Sequence, residues 1–177
     1  HMYILGINAY HGGASACLIE NGHLVAAVEE ERFQRVKHWA GFPVNAIRYC
    51  LSEGGISVHD LDHVGISRNP RANLVLKARF ALRQFPRPQF LFDRAKNLRR
   101  VGSLERVFCS LMGVKQTSLQ AQYHNIEHHR AHLASAFFVS PFERAAVLSV
   151  DGMGDFSSTM WAVGEGSNLD VQGAVNF

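Results

Sequence analysis

Short apolar runs separated by glycine turns set the pattern of this chain from its first residues. Tyr3 to Ala9 is a nearly continuous apolar run, which predicts a buried strand. Tyr10-His11-Gly12-Gly13 reads as a turn, Ala14 to Glu20 as a second strand, Asn21-Gly22 as a tight hairpin and His23 to Glu29 as a third strand. Pro43 then opens a helix whose apolar face is Ala46, Ile47, Cys50 and Leu51, and Glu53-Gly54-Gly55 closes it. Val64 to Ser67 predicts a short buried strand. Two helical stretches follow, Arg71 to Phe85 and Phe90 to Met112, split by Pro86 and Pro88. Gln122 to Glu127 predicts a strand and the segment after it a helix ending before Pro141. Ala145 to Val150 predicts a buried strand, Asp151 to Asp155 a turn, and Ser157–Val163 with Leu169–Val175 a last hairpin around Glu165-Gly166-Ser167-Asn168. The order is that of an α/β layered domain with a mixed sheet and flanking helices.

Composition narrows the class. At 177 residues the chain is long enough for a domain with a real core. No stretch reaches about 18 uncharged apolar residues, so no membrane span is expected. Cys17, Cys50 and Cys109 are odd in number, far apart and without a CxxC, and are expected to be reduced core residues of a cytoplasmic protein. His1-Met2 resembles a cloning remnant, and the apolar pattern running to Phe177 predicts a fragment of something longer, whose uncovered sheet edge leaves a homo-oligomer open.

The net charge of +3 conceals an asymmetry. Arg68 to Arg106 carries eleven basic residues against Asp93 and Glu105, leaving about −6 on the remainder. A solvated face of two helices is the preferred reading over a site for an anionic partner. Phe80, Phe85, Phe90 and Phe92 are expected to cover a sheet or partner, and with no RNA-binding motif no nucleic acid is expected.

Candidate chemistry concentrates in two places. His128 and His132 stand four apart at the start of a predicted helix, so they share a face with Cβ atoms about 5–6 Å apart. That spacing presents two nitrogens to one metal ion, and Asp151, at the next strand's end, could complete a set of two histidines and one carboxylate. Structural packing, or pairing of His129 with His132, is the alternative, and Asp-Gly-x-Gly-Asp could be only a turn. The second place is the first turn. Gly12, Gly13 and the small residues after them leave backbone N–H groups open to a phosphate, or form an ordinary turn. No GxxxxGK[ST] occurs, so a P-loop is excluded. Glu29 to His38 reads as an exposed, salt-bridged segment, or as one in which Arg32, Arg35 and Lys37 clamp an anionic group.

Four blocks resemble one family: Tyr3 to Asn8 with Tyr10-His11 and Ala14-Ser15-Ala16; Glu30-Glu31-Arg32-Phe33 with Arg35 and Lys37-His38; His128 to Phe137; and Asp151-Gly152-Met153-Gly154-Asp155. Together they resemble the N-terminal part of the O-carbamoyltransferases, the family of nodulation protein U and the cephamycin and tobramycin carbamoyltransferases. The resemblance implies a ribonuclease H-like, actin-like (ASKHA) fold. Residues 2–177 would form the first part of that domain, with its second half and a C-terminal adenylating domain outside this chain.

It also implies a reaction. Carbamoyl phosphate and ATP yield carbamoyl-adenylate, and the carbamoyl group passes to a hydroxyl of a small-molecule acceptor. A divalent metal, iron ahead of manganese or zinc, would be held by His128, His132 and Asp151, with a further aspartate in the missing half. By resemblance Lys37 and His11 are assigned to catalysis, and Gly12, Gly13, Arg32, Gly152 and Gly154 to nucleotide or cofactor binding. Gly13 departs from the family, which usually carries Asp there. Remaining alternatives are an actin-like kinase or ATPase, which the carboxylate-free first turn disfavours, and a non-catalytic nucleotide- or partner-binding module.

Overall fold

A computed structural model describes residues 1–10, 12–69, 104–154 and 157–176. The chain divides into two compact units, and each is described by itself. Unit 1 contains the segment up to Ser67 and the segment ending at Asn125; the histidine block and all that follows belong to unit 2.

In unit 1 the strands are β1 (Tyr3–Asn8), β2 (Ser15–Glu20), β3 (His23–Glu29), β4 (His63–Ile66) and β5 (Gln122–Asn125). They form one sheet in the order β3-β2-β1-β4-β5. The first three strands are antiparallel, and β4 and β5 add in parallel on the far side of β1. An antiparallel meander extended by two parallel strands is the ribonuclease H-like order, so the actin-like class expected from the sequence holds.

Alternation decides which face is buried. Leu5 and Ile7 pair with Leu18 and Ala16 on one side and with Val64 and Ile66 on the other, and all six are buried. The helix α2 (Val44–Glu53) covers that face with the expected Ala46, Ile47, Cys50 and Leu51. A short helix, α1 (Glu31–Gln34), follows β3, and α3 (Leu104–Met112) adds Phe108 and Cys109 to the same core. The helix expected over Arg71–Phe85, and the part before Leu104 of the helix expected over Phe90–Met112, lie outside the described residues. Each cysteine is free, and Cys50 and Cys109 are buried.

Unit 2 is built from the helix α4 (His128–Phe137) and the strands β6 (Arg144–Gly154), β7 (Ser157–Glu165) and β8 (Asn168–Asn176), which form an antiparallel meander. Leu133 and Phe137 of α4 pack with Val147, Met160 and Ala162 in a second core. Gly164 makes this approach close, because a Cβ there would lie 2.6 Å from the Phe137 ring.

Two expectations need correction. Asp151 to Gly154 do not form a turn: β6 continues through them, and the extra residues are absorbed by a register shift between Val150 and Gly154. A bulge of this kind bends the strand and re-aims its side chains. Nor is the acidic segment after β3 wholly exposed, because Glu30 is fully buried. Among the described residues Arg32, Arg35 and Lys37 enter no ion pair and stay exposed.

Candidate metal centre

The helix that carries the histidines is started by its predecessor. The Glu127 carboxylate accepts from the backbone N–H of His129 at 3.1 Å and of Arg130 at 2.9 Å, satisfying donors that a helix start leaves without partners. Buried positions then recur every four residues, at His129, Leu133 and Phe137, which seats this stripe on the sheet. His128 and His132 form the neighbouring stripe along its edge. On β6, Val147 and Ser149 point into the core, and Asp151 continues the same phase to the rim.

The three candidate ligands meet there. His128 Nε2 lies 2.8 Å from Asp151 Oδ2 and 3.0 Å from His132 Nε2, and His132 Nε2 lies 3.8 Å from Asp151 Oδ2. Their ligand atoms all fall within 4.8 Å of one another, the one such group among the described residues. Bonds of about 2.1 Å to a common ion place cis ligand atoms about 3.0–3.4 Å apart, depending on coordination geometry. The observed separations bracket that span. One ring nitrogen carries either a proton or a lone pair, so His128 Nε2 cannot meet both neighbours through separate protons. A cation between the three would be met by a lone pair from each, so the residues fit a metal.

Protonation favours the same outcome. Burial, aided by the neighbouring His128, holds His132 below the ordinary imidazole range and keeps its ring neutral. Asp151 is held below the usual carboxylate range by its hydrogen bond with His128 and by the Gly152 N–H, 2.6 Å from Oδ1. Neutral imidazole and ionised carboxylate are the forms that bind a divalent ion. His128 is buried while His132 and Asp151 are exposed, so the cluster has an open side.

His129 does not pair with His132. Its Nδ1 lies 2.8 Å from Ser149 Oγ and its Nε2 2.9 Å from the Ser157 carbonyl oxygen, all of it buried. Neither this contact nor the Glu127 cap was read from the sequence, although His129 sits four residues before Leu133 in the apolar stripe.

The other assigned residues are placed as follows. Gly12, Gly13, Arg32 and Lys37 belong to unit 1, while in unit 2 Gly152 lies within the bulge and Gly154 at its end. Gly12 lies against His38, the residue after Lys37, and Ala14 N–H donates to the Trp39 carbonyl at 3.2 Å. The first turn and the end of the basic segment are thus neighbours. Gly13 has φ +80°, a left-handed conformation that glycine adopts without strain, and Asn8 Nδ2 holds its carbonyl at 3.0 Å. An aspartate would be strained in that conformation. His11 lies outside the described residues.

Comparison with known proteins identifies the family. The family model described as "Carbamoyltransferase N-terminus" matches residues 3–177. Uncharacterized protein sll1178 of Synechocystis is 38% identical over 99% of this chain and 29% of its own length. Nodulation protein NolNO of Sinorhizobium fredii is 35% identical over 90% of this chain and 22% of its own. Among solved structures, YeaZ from Pseudomonas aeruginosa matches 98% of this chain and 65% of its own at 16% identity and a TM-score of 0.48. The chain therefore spans less than a third of the length of these curated relatives. Its match to the family model runs almost end to end, and the chain belongs to the carbamoyltransferase N-terminus family.

Proposed function

We propose that this chain supplies the metal-holding part of an O-carbamoyltransferase. The observation that carries the reading is the convergence of His128, His132 and Asp151, drawn from a helix and a bulged strand, within 4.8 Å. These residues would hold a divalent ion, iron ahead of manganese or zinc, by two imidazoles and one carboxylate, with positions left for further ligands. When bound, the ion supplies Lewis acidity, polarising a carbonyl whose oxygen gains charge as an alcohol attacks. The chain's own contribution is to hold the three groups close together, His132 and Asp151 in their binding protonation states, with an open side for a substrate.

The donor in this reading is carbamoyl phosphate, activated with ATP as carbamoyl-adenylate, and the acceptor is a hydroxyl on a small molecule. Arg32 and Lys37, exposed on the segment whose end adjoins the Gly12-Gly13 turn, are cations available to phosphate groups. Adenylation and a further metal ligand belong to the rest of the same enzyme. A cytoplasmic location is part of this proposal; no helix among the described residues is long and apolar enough to cross a membrane.

Metal binding tests the reading at its base. Calorimetry with Fe²⁺, Mn²⁺ and Zn²⁺ should show one ion per chain, lost in His132→Ala. Absence of binding by all three ions overturns the metal assignment. In the complete protein, carbamoyl phosphate and ATP should release phosphate and pyrophosphate. Steady ADP formation without carbamoyl phosphate would favour an actin-like kinase or ATPase instead. Function unchanged by His128→Ala would favour a non-catalytic binding module.

A further inference from the structure

Between the two candidate histidine ligands on α4 lies a third imidazole that faces the core. His129 is fully buried in line with Leu133 and Phe137, a position that an apolar side chain would fill with no polar group to satisfy. Its ring instead meets two oxygens, on the two arms of the β6–β7 hairpin. Ser149 stands two residues before Asp151 on the outgoing arm, and Ser157 opens the returning arm.

The partners determine the tautomer. A carbonyl oxygen only accepts, so Nε2, 2.9 Å from the Ser157 carbonyl, carries the proton. In the neutral ring Nδ1 then holds the lone pair, and the Ser149 hydroxyl at 2.8 Å donates to it. Ser157 passes the connection on, its hydroxyl donating to Asn176 Oδ1 of β8 at 2.6 Å. One side chain thus ties α4 to both stems of the segment that bears Asp151, and it is the residue next to His128.

We infer that His129 is a positioning residue: by gripping both arms of the β6–β7 hairpin it sets the distance of the Asp151 carboxylate from His128 and His132. The inference rests on the metal reading above and deepens it. A pin of purely structural purpose would lower stability when removed and leave the geometry of a bound ion unchanged. A positioning residue changes that geometry, because Asp151 can drift relative to the helix once the hairpin is released. Partners that orient metal ligands from behind typically contribute about 10–100-fold in metal affinity.

The test uses the chain loaded with Co²⁺, whose visible absorption bands report ligand geometry, and Zn²⁺ calorimetry for affinity. Ser149→Ala removes only the hydroxyl that donates to Nδ1. His129→Gln retains a donor for the Ser157 carbonyl but offers no ring lone pair, and His129→Leu fills the apolar stripe. Ser149→Ala should weaken Zn²⁺ binding about tenfold or more and shift the Co²⁺ bands. His129→Gln should fall between the wild type and His129→Leu. If His129→Leu fails to fold, Ser149→Ala carries the test, with its urea midpoint as the stability control. Wild-type affinity and wild-type bands in Ser149→Ala, whatever its stability, overturn the positioning role while leaving the metal site standing. Failure of the wild type to bind either ion removes the metal reading itself, and this inference with it.

Discussion

Glu30 is a buried carboxylate whose partners are all neutral, and its removal should destabilise unit 1. Oε1 accepts from Gln34 Nε2 at 2.9 Å and from Asn45 Nδ2 at 2.7 Å, and Oε2 accepts from the Ala46 N–H at 2.8 Å. Ala46 lies in the first turn of α2, whose own N-cap position, Pro43, provides no side-chain cap. The carboxylate therefore caps α2 from outside it, where negative charge also complements the helix dipole. Replacement by alanine leaves the fully buried Ala46 N–H without its acceptor, which is the loss of the cap itself, at a cost of about 1–3 kcal/mol. Gln34 is exposed and Asn45 only partly buried, so both amides can turn to water and add little. Glu30→Ala should thus cost about 1–3 kcal/mol. Glu30→Gln can direct its carbonyl to the Ala46 N–H while the Asn45 and Gln34 amides turn their oxygens toward its NH₂, and should cost about 1 kcal/mol, a single exchanged hydrogen bond. The assay is urea denaturation followed by Trp39 fluorescence in a Trp161→Phe background, so that the signal comes from unit 1 alone. A Glu30→Ala midpoint within about 0.5 kcal/mol of the parent, the range of an ordinary surface substitution, would refute the capping argument.

Three further outcomes are expected. Gly164→Ala should destabilise unit 2 by about 1–3 kcal/mol, the usual cost of overpacking, because its Cβ would displace the Phe137 ring; thermal unfolding read by Trp161 checks it. Burial pushes the Cys50 thiol up to about 11 from an ordinary 9.0, so the folded state keeps a proton that the unfolded chain has lost. Stability present below pH 9 should fall as pH rises towards 11, by at most about 2–3 kcal/mol from this group, and urea midpoints at pH 8 and 10.5 should converge in Cys50→Ala relative to the parent. Arg32→Ala and Lys37→Ala should change stability by less than about 0.5 kcal/mol, since both side chains are exposed, while weakening the binding of a nucleotide analogue measured by calorimetry.

Much of the fold was legible because the apolar runs are short and bounded by turn residues. Asn21-Gly22 lies where β2 turns into β3, and Ala46, Ile47, Cys50 and Leu51 form the buried face that their spacing implied. The failures have a common cause: tertiary contacts that change what a polar residue is for. Glu30 sits in a run of charged residues that looks solvated, and only α2, sixteen residues on, gives its carboxylate a reason to be buried. Asp151-Gly152-Met153-Gly154 has turn composition, yet β7 pairs across it and converts it into bulged strand.

The site shows the same division between local and long-range information. A spacing of four aligns His128 with His132 by helix geometry alone, and their rings do meet. Spacing cannot tell which of three histidines face the strand, because that depends on how α4 is rotated about its axis. Leu133 and Phe137 determine that rotation, and they align with His129 rather than with His128. The apolar stripe therefore assigns His129 to the interior and leaves the other two histidines along its edge, beside the bulge that carries Asp151. Moving the stripe by one residue would turn the candidate pair inward and expose the imidazole that holds the hairpin. Ligand placement is thus decided by residues that bind nothing, and substitutions at Leu133 or Phe137 should disturb metal affinity through the angle of α4 as well as through stability.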